Sequence, residues 1–189
     1  MEITVLTTDR LTLRPPTAAD VDAITTACQD PEIPRWTTVP SPYSRTDAEA
    51  FVRIVDASWA DGSEAIWSIF HDGVLVGTVG LHNIASHPAG GQAELGYWMT
   101  AESRGQGFLV EAARAVLDWA FAELDLARVH WQAVEGNIPS ARAARALGFH
   151  FEGTRRQALT SHRGRDDGWT ASLLPTDDRT PVSWPVLEG

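Results

Sequence analysis

Apolar residues along this chain recur at two spacings, and the switches between them mark the elements. In residues 10–15 (RLTLRP) they alternate, the period of a half-buried strand, and Pro15-Pro16 ends the run. Thr17-Ala18-Ala19-Asp20 has the form of a capping box and predicts a helix running to Cys28. Residues 30–43 are rich in proline and predict an irregular loop around Trp36. Ser44-Arg45-Thr46-Asp47 predicts the start of a second helix, with Phe51, Ile54, Val55 and Trp59 one or two turns apart. Two apolar runs, 65–70 (AIWSIF) and 74–84 (VLVGTVGLHNI), flank Asp72-Gly73 and predict a hairpin. A loop (SHPAGG) then leads to a strand over 93–99. Beyond Gly107, Leu109, Ala113, Val116, Ala120 and Leu124 share one broad helical face. The rest reads as a strand over 127–134, a short helix over 140–146 stopped near Gly148, and strands over 149–159 and 169–174.

This order predicts an α/β (α+β) fold with a mixed, mostly antiparallel sheet flanked by helices and one parallel crossover through the third helix. A chain of 189 residues fits one domain, expected over 1–175, with the proline-containing 176–189 as a surface or partly loose tail. No run approaches the 18 or so apolar residues of a membrane span, and the first residues are neither basic nor apolar. The expectation is therefore a cytoplasmic protein with no membrane partner. The formal net charge of −10, from 25 acidic against 15 basic residues, argues against broad nucleic-acid binding. The one dense basic segment, 155–165, could serve a single phosphorylated ligand. Cys28 is the sole cysteine, which excludes an intramolecular disulfide and a thiolate metal cluster.

Two short stretches invite a chemical reading. In Arg104-Gly105-Gln106-Gly107-Phe108-Leu109, glycines precede a helix whose first N–H groups have no partner within it, an end that favours an anion. The same glycines would also serve a tight turn. The spacing matches neither a P-loop nor a dinucleotide fingerprint. In Asn137-Ile138-Pro139-Ser140, a polar residue starts the short helix as a cap, or Asn137 presents its amide to a second part of the same ligand.

Together, strand, glycine loop and helix, then strand, Asn-x-x-Ser, short helix and Leu-Gly-Phe, resemble the GNAT N-acetyltransferase superfamily over nearly the whole chain. TDRLTLRPPTAAD, EAIWSIF…GVLVGTVGL, AELGYWM and RGRDDGWTASLL resemble its ribosomal-protein N-terminal (alanine/serine) acetyltransferase branch. The resemblance implies the GNAT acyl-CoA N-acyltransferase fold and acetyl-CoA (coenzyme A) as the acetyl donor. It implies that main-chain amides of Arg104, Gly105, Gln106, Gly107, Phe108 and Leu109 hold the pyrophosphate, Leu109 standing where the family has glycine or alanine. The strand from Glu94 through Tyr97, Trp98 and Met99 would pair with the pantetheine amides, and Asn137 and Ser140 would face the pantetheine arm and thiol. The family's common proton-returning tyrosine is Ala144 here, so Ser140 inherits that role. An acid found after Leu-Gly-Phe in some members falls at Leu159.

Transfer is then by direct attack of a primary amine, most simply a protein or peptide N-terminal α-amine, which titrates near 8 against about 10.4 for lysine. The alternatives are a small cationic amine such as an antibiotic or polyamine, a lysine side chain, or a coenzyme A-binding sensor without catalysis. Glu94 is the first choice of base, ahead of His82, His130 and His162, while His150 reads as structural and Cys28 as no nucleophile. The acceptor pocket is expected to use Trp36, Tyr43, Trp67 and Trp98. No metal is needed, and a homodimer is the default expectation.

Overall fold

Asp72 and Gly73 both adopt positive φ (49° and 77°), the two-residue turn whose twist suits a hairpin, so β3 (Ala65–His71) folds back onto β4 (Val74–Ala85). Around this pair the computed structural model, which describes residues 1–161 and 164–188, arranges an eight-stranded sheet in the order β1-β2-β3-β4-β5-β6-β8-β7. The remaining strands are β1 (Leu6–Thr7), β2 (Thr12–Arg14), β5 (Gly91–Met99), β6 (Leu126–Val134), β7 (His150–Ser161) and β8 (Gly164–Leu173). The helices are α1 (Val21–Ala27), α2 (Glu32–Trp36), α3 (Arg45–Asp61), α4 (Phe108–Glu123) and α5 (Ile138–Ala146). Among the described residues only β5 and β6 pair in parallel, joined by the crossover through α4. His162, named above as a candidate base, lies outside the described residues.

Helix α3 begins as its sequence predicts: the Ser44 hydroxyl accepts from the Asp47 N–H at 3.3 Å, and Ser44 N–H donates to the Asp47 carboxylate at 2.8 Å. The apolar face of α4 (Ala112, Ala113, Val116, Leu117 and Ala120) is fully buried. Trp59, Trp67 and Trp119 meet in a cluster with ring centroids 4.9 and 5.1 Å apart about Trp67. Trp67 is therefore core and takes no part in the acceptor pocket where it was expected. It has no exposed surface, and its Nε1–H donates to the Thr4 carbonyl at 2.7 Å.

Three local features differ from the sequence reading. The proline-rich stretch contains α2, a helix of five residues fastened by Trp36 Nε1–H donating to Glu32 at 3.0 Å. Strand β8 begins at Gly164 rather than Trp169, because Arg165 and Asp166 pair with Thr160 and Leu159. Residues 176–189 include a packed anchor: Trp184 has no exposed surface and donates from Nε1 to the Phe149 carbonyl at 3.0 Å. Arg179, in the same stretch, pairs with Asp118 of α4 at 2.6 Å.

The first helical turn is held to β2 by a two-pronged ion pair, Arg14 to Asp20 at 2.7 and 2.8 Å. Burial opposes ionisation of Asp20, but Arg14 and the Thr17 N–H and hydroxyl outweigh it and hold the carboxyl below its usual range. Because the folded state prefers the deprotonated form, this stabilisation is present above about pH 4, the ordinary aspartate range, and is lost progressively as pH falls below it toward the lowered folded value. Acid titration of the urea midpoint should show a drop below pH 4 that is smaller in Asp20→Asn.

Candidate active site

The site begins where a sheet pairing stops. β5 and β6 pair from Gly91↔Leu126 to Glu94↔His130 and then part. Beyond that point β5 stays on β4 as far as Gly77↔Met99, while β6 stays on β8 as far as Val134↔Gly168. The β6-facing edge of Leu95–Met99 thus has no strand partner, and its main-chain N–H and C=O groups are available to a ligand that runs along it. The opening widens into a cleft of about 1410 Å³.

Helix α4 points its N-terminus at this opening. Gly105 and Gly107 have φ of 74° and 80°, which favour glycine, and Gly107 is an N-cap without a side-chain hydrogen bond. The first N–H groups of a sixteen-residue helix are left for an anion. The loop is pinned from outside its own ends. Arg10 donates to the Gln106 carbonyl at 3.1 Å and to Glu111 at 2.7 Å, and its guanidinium lies 4.7 Å over the Phe108 ring. Phe108 is buried and Leu109 packs partly into the core, so these two anchor the helix start. The Arg104 side chain is already engaged, donating to Asp30 at 2.6 Å and to the Met99 carbonyl at 3.0 Å. What Arg104 can offer a phosphate is its main chain.

On one face of the split stands a hydroxyl cluster. Tyr97 Oη and Ser140 Oγ are 3.0 Å apart, and Trp131 Nε1–H donates to both, at 3.0 and 3.2 Å. An indole N–H can only donate, so it takes an acceptor lone pair from each oxygen. Tyr97 Oη has two acceptors for its single proton, the Ser140 Oγ and, at 3.2 Å, the Ser140 carbonyl; when Tyr97 donates to Oγ, the Ser140 proton is free to point into the opening. Burial pushes the Tyr97 hydroxyl up to about 12, so it remains a neutral donor. Asn137 is the N-cap of α5, its Oδ1 accepting from the Ser140 N–H at 3.3 Å, and this fixes where Ser140 starts its turn. Ala144, at the position of the family tyrosine, is fully buried.

On the other face runs a row of alternating acids and imidazoles. Glu64 immediately precedes β3; His82 is opposite Glu94 across β4–β5, and Glu94 is opposite His130 across β5–β6. Glu94 accepts from Gln132 at 3.0 Å, faces His130 Nε2 at 3.3 Å and Asn83 Nδ2 at 3.5 Å. Burial raises the cost of ionising Glu94, but hydrogen bonds from His130 and Gln132, with the nearby imidazoles, prevail and hold it below the usual carboxylate range. The predicted base is thus at the split, as a hydrogen-bonded hub. Trp36, Tyr43 and Trp98 line the cleft, as do carboxylates of Glu32, Asp47, Glu64, Glu94 and Asp166. Asp166 stands opposite Leu159 in the β7–β8 ladder.

Cys28 does not line the cleft; it is buried, and burial lifts its thiol to about 12 despite a hydrogen bond with Tyr43. Among the described residues no group of three or more His, Cys, Asp and Glu is placed to hold a metal, and no helix is long and apolar enough to cross a membrane. Sequence reasoning missed Trp131 and the Tyr97–Ser140 contact, since the register that brings β5, β6 and α5 together is a tertiary fact.

A family model of the acetyltransferase (GNAT) domain matches residues 10–150. The chain belongs to the GNAT acetyltransferase family. Among GNAT relatives, Bacillus subtilis YdaF, named a ribosomal N-acetyltransferase, is 37% identical over 99 residues, and the match spans about half of each chain (52% of both). The Bacillus subtilis N-acetyltransferase YoaA is 30% identical over 157 residues, 82% of this chain and 88% of its own. The GNAT fold is also that of RimL, a ribosomal L7/L12 α-N-protein acetyltransferase solved with coenzyme A: TM-score 0.82 at 19% identity, over 90% of this chain and 98% of that one.

Proposed function

We propose that this GNAT acetyltransferase moves the acetyl group of acetyl-CoA onto a protein or peptide N-terminal α-amine by direct attack. The observation that carries the reading is the β5–β6 split opening beside the glycine-rooted start of α4. An unpartnered strand edge fits the amides of a pantetheine chain, and a helix N-terminus at its end fits a diphosphate. The coenzyme A bound to RimL supports this use of the fold. Bound there, acetyl-CoA supplies an activated thioester.

The residues divide the remaining work. Main-chain groups of Arg104, Gly105, Gln106, Gly107, Phe108 and Leu109 hold the diphosphate, and Tyr97, Trp98 and Met99 lie on the strand that holds the arm. Asn137 sets the start of α5, and Ser140 donates a hydrogen bond to the departing sulfur. Carboxylates around the cleft attract an ammonium before it loses its proton, with Glu94 the one nearest the split. The relatives named for ribosomal proteins support a protein N-terminus as the acceptor.

Incubation with acetyl-CoA and a mixture of peptides with free N-termini, lysine peptides with blocked N-termini, and polyamines is expected to acetylate α-amines, read by mass spectrometry. Product confined to polyamines or to lysine side chains would overturn the acceptor class. Absence of product together with retained coenzyme A binding would overturn catalysis.

A further inference from the structure

We infer that His82, oriented by Glu64, is the group that takes the proton from the attacking amine. The inference rests on the acetyl-transfer reading above and names a residue for a step which that reading leaves open.

The geometry is that of a base and its orienting partner. His82 Nδ1 lies 3.1 Å from Glu64 Oε1. A carboxylate there requires the hydrogen on Nδ1, so in the neutral imidazole Nε2 carries the bare lone pair. The ring lies against Gly96: a Cβ at that glycine would stand 2.8 Å from His82 Cδ2 and 2.9 Å from Nε2. Gly96 is two residues past Glu94, where β5 has just left β6, so Nε2 sits beside the opening of the split. His82, Glu64 and Gly96 all line the cleft.

The backbone also departs from regularity here. The β4–β5 register shifts between His82 and Ala85, and Asn83 takes a positive φ of 52°. A bulge beside a cleft re-aims side chains, and this one directly follows His82. Glu94 is less suited to the step. Its Oε2 is shared by Gln132, His130 and Asn83, and the carboxyl is held below the usual range, which makes it a weak proton acceptor.

In the step itself the amine lone pair forms the N–C bond at the thioester carbonyl and the nitrogen's proton passes to His82 Nε2. The C–S bond breaks, and sulfur leaves with the bonding pair as a thiolate beside the Ser140 hydroxyl. His82 then returns its proton to solvent. The charged groups of the row facing His82 are Glu64 from the start of β3 and Glu94 from β5, with His130 of β6 behind Glu94. Removing Glu64 takes away the acceptor that holds the hydrogen on Nδ1, so the Nε2 lone pair is less well presented to the amine.

The test uses the full chain, acetyl-CoA and the amine that gives most product in the screen above, with kcat followed against pH. His82→Gln is expected to lower kcat about 100-fold and to abolish the acid limb, with KM for acetyl-CoA unchanged. Glu64→Gln should lower kcat less than His82→Gln while keeping an acid limb, as a positioning residue would. Glu94→Gln should leave the limb in place. A limb that survives in His82→Gln, or vanishes in Glu94→Gln, overturns the inference. A second measurement needs no acceptor: 15N NMR of the wild type at high pH should show His82 as the Nδ1–H tautomer. The Nε2–H tautomer would overturn the inference even if no amine were acetylated, whereas failure of the function itself would show as no product from the wild type.

Discussion

Trp184→Ala is expected to lose about 3–5 kcal/mol of stability, the range for removing a buried tryptophan. For a chain of this size that is a fall of roughly 6–20 °C in Tm. Trp184 has no exposed surface, and its ring lies 5.5 Å from Trp131 and 5.3 Å from Phe151. Truncation leaves a cavity that β6, β7 and α5 cannot close without moving, and it strips the Phe149 carbonyl of its donor. The same change should reach the chemistry, because Trp131 is the indole that bonds Tyr97 and Ser140. Urea denaturation gives the stability, and kcat measured well below the midpoint gives the second effect. Trp184→Phe, which keeps most of the packing but not the N–H, should recover more than half of the lost stability.

Ser140→Ala is expected to reduce kcat on the order of 100-fold, the scale for losing one well-placed donor in a water-poor site, with KM for acetyl-CoA little changed. Tyr97→Phe should cost less, because Trp131 still orients Ser140. The two changes together should fall short of the product of their separate effects, since both act through one hydrogen-bond cluster. Burial holds Tyr97 near 12, so neither variant should shift the pH profile of kcat between pH 6 and 9. Coenzyme A release, measured as initial rate against pH, checks each point. Equal losses in kcat and in coenzyme A affinity would instead mean that Ser140 only shapes the cofactor channel.

Most of the architecture is legible in the chain because its signals are local. Apolar runs mark β3 and β4, Ser44 and Asp47 mark α3, and Asp72-Gly73 marks the hairpin. The short β1 is not legible, since two residues carry no period, and α2 hides among prolines that read as loop. The glycine loop is visible as a motif, yet the reason it can serve a ligand lies elsewhere, in the parting of β5 from β6 at Glu94. No spacing announces that event. Likewise, Tyr97 and Ser140 are 43 residues apart, and nothing in either neighbourhood predicts that Trp131 will join them. His82 and Glu64 are 18 residues apart and become partners only through the β3–β4 register and the bulge after His82. Trp67 shows the converse failure: an aromatic in a promising segment reads as pocket, but its strand position turns it inward to Trp59 and Trp119.

Cys28 has a consequence at the bench. Acetyl transfer releases a free thiol, and that thiol can be followed continuously with a disulfide dye provided the protein does not consume the dye itself. The only cysteine of this chain is shut in beside Val21, Ile24 and Phe70 and ionises only near 12, so at assay pH almost none of it is the reactive thiolate. The native protein should therefore add no background to such an assay. A slow rise in dye signal without substrate would in turn report opening of the α1–α3 corner, which makes the same reagent a probe of unfolding as well as of turnover.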